Sequence, residues 1–436
     1  MDALVSEMLR EMIYCECVGG LRVFFLPKKG FRRKYAEIFI HYGSNDNIFV
    51  PPGQTEAVEV PAGIAHFMEH KMFEKTWGEA FSAFARLGAS ANAYTSNNCT
   101  SYLFWTLESF RESLALLMDV AFTPYFTRES VIKEQGIIGQ EIRMYDDDPG
   151  SRLMRETLEA LYSRHPVRID VAGTQDSITQ IDTDLLYLCH SSFYRPPNMS
   201  LFVAGDLTKE EVIDAVDEAL EAVRYSDSGE ISRNTIAQRL RPAEPPEVGA
   251  NREISLPVPI PLVQVAWKLD PIPDDGRRLV IQEIATSTLL NILFGKSSEF
   301  FTKVYEDGLV DDLSLSNESW PDYAYATVVA QSSSPEELVQ RIWDEIKEAK
   351  NGARRKQLEE DFVRSKKASV GRYITLFDSL DTVGEMQVHL HRVGQDIFSY
   401  GKILDSLLFE LILESLNDLR RDRSVRVIVK DNTKRR

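Results

Sequence analysis

Cysteine, histidine and long apolar runs are all scarce in this chain, and each scarcity narrows what it can be. Only four cysteines occur in 436 residues, and just two of them, Cys15 and Cys17, lie close together. A lone C-x-C pair is a poor metal site, so the expectation is buried free thiols and a reducing compartment, the cytoplasm. No apolar run approaches the roughly 18 residues of a membrane span, which excludes a transmembrane helix. The opening stretch MDALVSEMLREM mixes charges and lacks an apolar h-region, so it does not read as a secretory signal. Basic residues are in deficit, 50 Lys and Arg against 67 Asp and Glu, for a formal net charge of −17. That balance argues against a nucleic-acid binder, which needs a basic face, and is accounted for by solubility.

What is present is globular. Hydrophobic residues make up 43% of the chain, enough for packed cores, and the length calls for at least two of them. The seven histidines are the most informative residues. His66 and His70 stand four apart with Glu69 between them, in the pattern H-x-x-E-H. On a helix over 64–74, started by Pro61-Ala62-Gly63, both imidazoles share one face and Glu69 lies close to it. Neutral imidazoles are zinc ligands, but a catalytic zinc needs a third protein ligand from elsewhere. Glu69 is better placed as a general base toward water at the metal than as a ligand.

A helix over 128–146 carries Glu134 and Glu141, seven residues apart and hence on one face. Ile137, Ile138 and Ile142 mark that helix as largely buried, where free carboxylates are costly. Either one glutamate ligates a cation while the other orients a ligand histidine, or they pair with Arg143 and Lys133. Between the two helices, residues 89–96 and 100–107 read as a hairpin around Asn97-Asn98-Cys99. Its first strand, ASANAYTS, is small and polar. It is either an ordinary edge strand or one that offers its backbone to an extended peptide.

The order of elements repeats. Strands at 20–27 and 35–42, a long loop over 43–62, two helices, the hairpin, helices, a strand at 198–207 and a helix at 209–223 make one set. Strands at 252–257 and 262–269, helices at 277–294 and 297–306, strands at 311–318 and 323–331, helices at 334–349, 353–370 and 396–418, and a strand at 424–430 make another. The expected fold class is α+β, two homologous α/β-sandwich domains, each a mostly antiparallel sheet packed with helices. The boundaries expected are 1–228 for a metal-bearing domain, 229–250 for a proline-containing linker, and 251–436 for a domain without metal. Leu289-Leu290-Asn291 stand in the second copy where the histidines stand in the first.

The run Gly63 to Phe73 (GIAHFMEHKMF), with Asn92-Ala93-Tyr94-Thr95 after it and Glu134 and Glu141 later, resembles the pitrilysin and insulinase family of zinc peptidases. The resemblance implies that His66, His70 and Glu141 ligate Zn2+, that Glu69 activates water, and that Glu134 supports a ligand from behind. It implies that the strand Asn92, Ala93, Tyr94 and Thr95 pairs with a peptide backbone, and that the domains face each other as half of a clamshell. In that family an arginine and a tyrosine of the second domain usually hold substrate. Here Ser297-Ser298-Glu299-Phe300-Phe301 and Gly308-Leu309-Val310-Asp311 put Glu299 and Asp311 in their places. The expectation is therefore a zinc endopeptidase of small or unfolded peptides that works as one half of a heterodimer, its partner a homologous chain bearing the arginine–tyrosine pair. A homodimer is the alternative assembly, and a non-catalytic scaffold subunit the alternative function.

Overall fold

The computed structural model describes residues 12–223 and 236–431. A helix that the sequence suggests over 4–13 therefore falls almost wholly outside the described residues, as do residues 229–235 of the expected linker. The chain divides into two compact units. The first comprises Met1–Ile142, Ile169–Arg241 and Asp378–Val388, and the second Arg143–Arg168, Pro242–Phe377 and His389–Arg436.

The first unit is built on a six-stranded sheet. Strands β1 (Tyr14–Val18), β2 (Leu21–Pro27) and β3 (Lys34–Ile40) open it. The loop expected over 43–62 contains two short strands, β4 (Ile48–Val50) and β5 (Val58–Glu59), and a small hairpin, β6 (Glu74–Lys75) and β7 (Gly78–Glu79), follows the motif helix. The expected hairpin is β8 (Ser90–Thr95) and β9 (Thr100–Thr106). Later come β10 (Met199–Gly205) and β11 (Gln238–Arg239), the latter pairing with β4. The large sheet runs β1-β2-β10-β3-β9-β8. Only β10 and β2 are parallel; the other pairs are antiparallel. β3 and β10 are buried along nearly their whole length, as strands covered on both faces must be. The helices Phe110–Phe122 and Lys209–Ala222 pack together on the sheet, each turning an apolar stripe inward.

The second unit repeats this plan. Strands β12 (Arg252–Ser255), β13 (Leu262–Leu269), β14 (Leu313–Ser319), β15 (Ala324–Gln331) and β16 (Ser424–Lys430) are ordered β12-β16-β13-β15-β14. Here too one pair, β12 and β16, is parallel and the rest are antiparallel. Removing β1 from the first sheet leaves the same order with the same parallel pair, so the two units are homologous α+β sandwiches. The helix Gly276–Phe294 occupies the place of the motif helix, between β13 and β14, and its inner face is apolar.

Several expectations are corrected. None of the four cysteines is in a disulfide, but Cys15 and Cys17 are exposed on β1 and only Cys189 is buried. The helix expected over 396–418 is two, Ile397–Asp405 and Phe409–Asp418. A helix over Leu380–Arg392 was not expected at all. No helix among the described residues is long and apolar enough to cross a membrane.

Candidate metal centre

The motif helix, Ile64–Lys71, begins at Gly63, which sits at φ +88°. That left-handed conformation alone favours glycine, and crowding demands it. A Cβ on Gly63 would collide with the Ala172 carbonyl, and one on Gly173 (φ +78°) with the Ala62 carbonyl. The two glycines let the backbones cross back to back, and Ser177 Oγ donates to the Ala62 carbonyl at 2.8 Å. The first turn of the helix is thus held by a segment distant in sequence. Seven of its eight residues are buried, among them His66 and Glu69.

On that helix the imidazoles of His66 and His70 meet edge to face, with centroids 4.6 Å apart. Glu141 reaches both: His66 Nε2 lies 3.6 Å from Oε1, and His70 Nε2 lies 3.7 Å from Oε2. One ligand atom from each of the three residues falls within 4.8 Å of the other two. Tetrahedral zinc with N and O ligands at about 2.1 Å requires ligand atoms roughly 3.4 Å apart, close to the 3.6 and 3.7 Å that separate Glu141 from the two imidazoles. Burial and the neighbouring His70 hold the His66 imidazole down to about 4, neutral and able to ligate.

Glu134 stands behind the cluster. Its Oε1 lies 3.0 Å from His70 Nδ1. Burial opposes its charge, but the hydrogen bond with His70 and the Lys71 ammonium outweigh burial and hold the carboxyl below its usual range. An ionised Glu134 can only accept, so Nδ1 donates and Nε2 keeps its lone pair toward Glu141. For His70, burial works against protonation, while the Glu134 hydrogen bond and the surrounding glutamates more than offset it and raise its pKa.

Lys71, read from sequence only as part of the motif run, proves to belong to the same network. Its side chain is 2% exposed, its ammonium bonds Glu74, and it lies 3.9 Å from Glu134 Oε2. The pairing of Lys71 with Glu74 is legible as an i,i+3 contact; the approach to Glu134, 63 positions on (134 − 71), is not.

Glu69 is nearly buried. Burial raises its pKa, against a 2.7 Å hydrogen bond donated by Thr95 Oγ1. Thr95 ends β8, the last strand of the sheet, whose outer edge is unpaired among the described residues. The Ala93 N–H is taken by the side-chain oxygen of its neighbour Asn92 at 2.9 Å. Asn92, Ala93, Tyr94 and Thr95 thus form an edge running past Glu69.

The helix carrying Glu134 and Glu141, Arg128–Asp147, is less buried than its isoleucines suggested. Ile138 and Ile142 are buried, but Ile137 is 45% exposed. Just beyond this helix the Asp148 side chain caps the next helix, Pro149–Leu161, by accepting from the Ser151 N–H. Glu299 and Asp311 are both exposed. Glu299 pairs with Lys303 at 2.7 Å and accepts from Gln357 at 3.2 Å.

A doubled α/β unit with, among the described residues, one His–His–Glu cluster beside an open strand edge is an arrangement that a metal-dependent peptidase could use. Comparison with known proteins agrees. Residues 44–175 match the family model described as Insulinase (Peptidase family M16), and residues 180–361 match that described as Peptidase M16 inactive domain. A Bacillus subtilis (strain 168) protein named "Uncharacterized zinc protease YmfH" is 37% identical over 406 residues, 93% of each chain. The crystal structure of an M16-like peptidase from Alicyclobacillus acidocaldarius superposes with a TM-score of 0.89 at 31% identity, covering 96% of this chain and 98% of that one. A protease from Helicobacter pylori shares the fold, with a TM-score of 0.80 at 20% identity over 96% and 100% of the two chains. The chain belongs to the M16, or insulinase, family of peptidases.

Proposed function

We propose that this chain is a zinc-dependent endopeptidase acting on small or unfolded peptides, and that it works as the metal-bearing subunit of a heterodimer. The observation that carries the reading is the convergence of His66, His70 and Glu141 on one point, beside a buried Glu69 held by Thr95. The names of the relatives, zinc proteases, support the choice of metal.

His66 Nε2, His70 Nε2 and a Glu141 carboxylate oxygen would hold the ion. Zinc so held would supply Lewis acidity toward a peptide carbonyl and make water beside it acidic enough to lose a proton near neutral pH. Glu69 accepts that proton on the oxygen that Thr95 does not occupy, and returns it to the leaving amine. Burial raises its pKa, which makes the carboxylate a stronger base toward that proton than an ordinary glutamate. Glu134 fixes the tautomer and direction of His70. The free edge of β8 accepts an extended peptide as an added strand, with Asn92 releasing the Ala93 N–H to it.

Glu299 and Asp311 support the two-chain assembly, because acids replace the arginine and tyrosine that hold substrate in single-chain relatives. A homologous partner bearing that pair would complete the grip. The free cysteines suit a reducing compartment such as the cytoplasm.

The test is cleavage of an unstructured peptide by the chain alone, by the chain with a co-expressed homologous chain, and by each with a chelator. Glu69→Gln should abolish cleavage while retaining about one zinc per chain; an active variant would overturn the role of Glu69. Equal rates with and without the second chain would overturn the heterodimer.

A further inference from the structure

One buried acid takes no part in this chemistry. Glu37 sits in the middle of β3 with no exposure at all. The strand pairings place it. Thr95 is opposite Thr100, and Ile38 is opposite Tyr102, so these share the face toward the motif helix. Glu37 is one residue from Ile38 and so points to the other face, with Leu103 and Phe202 opposite it on the two neighbouring strands. The segment Asp378–Val388 covers that face, with Gly384 so close that a Cβ there would lie 2.6 Å from Phe202 Cδ1.

Two hydroxyls donate to the Glu37 carboxyl, Tyr35 from its own strand and Ser101 from β9, and Tyr94 of β8, directly opposite Ser101, turns its ring to the same face and brings its hydroxyl into the field of Glu37. One side chain therefore ties β3 to β9 directly, at the point where Tyr94 of the edge strand β8 lies across from Ser101. An acid here is costly, because the position is wholly buried in the sheet, where a charge loses its hydration. Burial pushes its carboxyl up to about 8, so near neutral pH it is largely the neutral acid, able both to accept and to donate within the hydroxyl cluster. The residues of β8, Ser-Ala-Asn-Ala-Tyr-Thr, explain the need. Small and partly exposed, they give apolar packing little to hold.

We propose that Glu37 is a positioning residue for the peptide-binding edge: through the Tyr94 hydroxyl it fixes the seating of β8 on β9, and with it the reach of Thr95 to Glu69. Residues 94 and 95 are then held from opposite faces, Tyr94 from behind by Glu37 and Thr95 from the front by Glu69. The inference rests on β8 being the strand that pairs with substrate.

Glu37→Gln, Tyr94→Phe and the double variant test it, with two readouts. In peptide cleavage each single variant should raise KM about three- to tenfold, the scale of one net hydrogen bond, with kcat changed less than about twofold and zinc content unchanged. The double variant should be no worse than the worse single one, because both remove the same link. In amide hydrogen exchange, residues 90–95 should exchange faster in each variant while residues 64–71 do not. Additive losses of melting temperature with unchanged KM and unchanged exchange at 90–95 would show an acid that serves global stability only, and would overturn the proposal. Should Glu37→Gln not fold, Ser101→Ala in combination with Tyr94→Phe carries the same non-additivity test. Loosened exchange at 90–95 without any change in KM would instead refute the peptide-pairing reading of β8 while leaving the link between Glu37 and Tyr94 intact.

Discussion

The hydroxyl of Thr95 donates to Glu69 Oε2 at 2.7 Å, so the strand edge that would receive a peptide and the carboxylate that would move its proton are joined by one hydrogen bond. Each holds the other in place, and neither can shift without the other.

Replacing Thr95 by valine keeps the shape and removes the donor. Glu69 would lose its fixed rotamer, and kcat should fall about 10- to 100-fold, the range typical of lost supporting contacts around a metal site. Zinc content should stay the same. Steady-state kinetics with metal analysis on the same preparation check this; an unchanged kcat would mean that Glu69 is oriented by something else.

Lys71→Met nearly conserves volume and removes the one cation buried beside Glu134 and Glu74. Glu134 should then hold His70 less firmly, and zinc affinity should fall about tenfold, with a larger loss, up to about 100-fold, for Glu134→Gln. Competition against a chromophoric chelator measures both. Lys71→Arg should recover part of the loss.

Gly63→Ala and Gly173→Ala should each destabilise the first unit by about 2 kcal/mol or more, since each adds a Cβ at positive φ against a carbonyl with no room to move. Denaturant midpoints of the zinc-free chain show this directly. Gly30→Ala, also at positive φ but with open space where the Cβ would go, should cost clearly less.

Glu37 makes stability depend on pH. Its carboxyl is raised to about 8 from an ordinary 4.5, so the folded chain keeps a proton that the unfolded chain gives up. The contribution is complete below about pH 4.5 and is lost as pH rises through about 8. The groups facing it, Tyr35, Tyr94, Ser101 and Glu385, include no cation to compensate. Urea midpoints at pH 5 and pH 8.5 should fall more steeply in the parent than in Glu37→Gln; parallel slopes would mean that Glu37 is already ionised at pH 5.

Much of this was legible in the chain itself. Strands such as 262–269 and 324–331 declare themselves by β-branched and aromatic residues, and His66, Glu69, His70, Glu134 and Glu141 by helical spacing. The misses have physical causes. Leu380–Arg392 carries a glycine in its middle and reads as a poor helix, yet Gly384 is there because the Phe202 ring leaves no room for a Cβ. The break at 406–408 has neither Gly nor Pro to announce it; Lys366 from another helix takes the carbonyls of Asp405 and Leu407 instead. β1 escaped notice because its alternation exposes Cys15 and Cys17, residues whose type suggests burial. Lys71 reads as an ordinary basic last-turn residue, and only the fold brings Glu134 to it.

The back-to-back glycines also bear on the order of events in folding. Gly63 and Gly173 are 110 positions apart (173 − 63), so the first turn of the motif helix is fixed only after a long loop has closed. Closure over such a span is slow and carries an entropic cost before its contacts form. The sheet closes spans longer still, Ser200 pairing with Arg22 across 178 positions (200 − 22), so the ligand cluster is complete only once both closures have been made. Zinc should accordingly slow unfolding of the finished chain and leave its refolding rate almost untouched, so the metal acts as a lock on a structure already made and not as the template on which it is made.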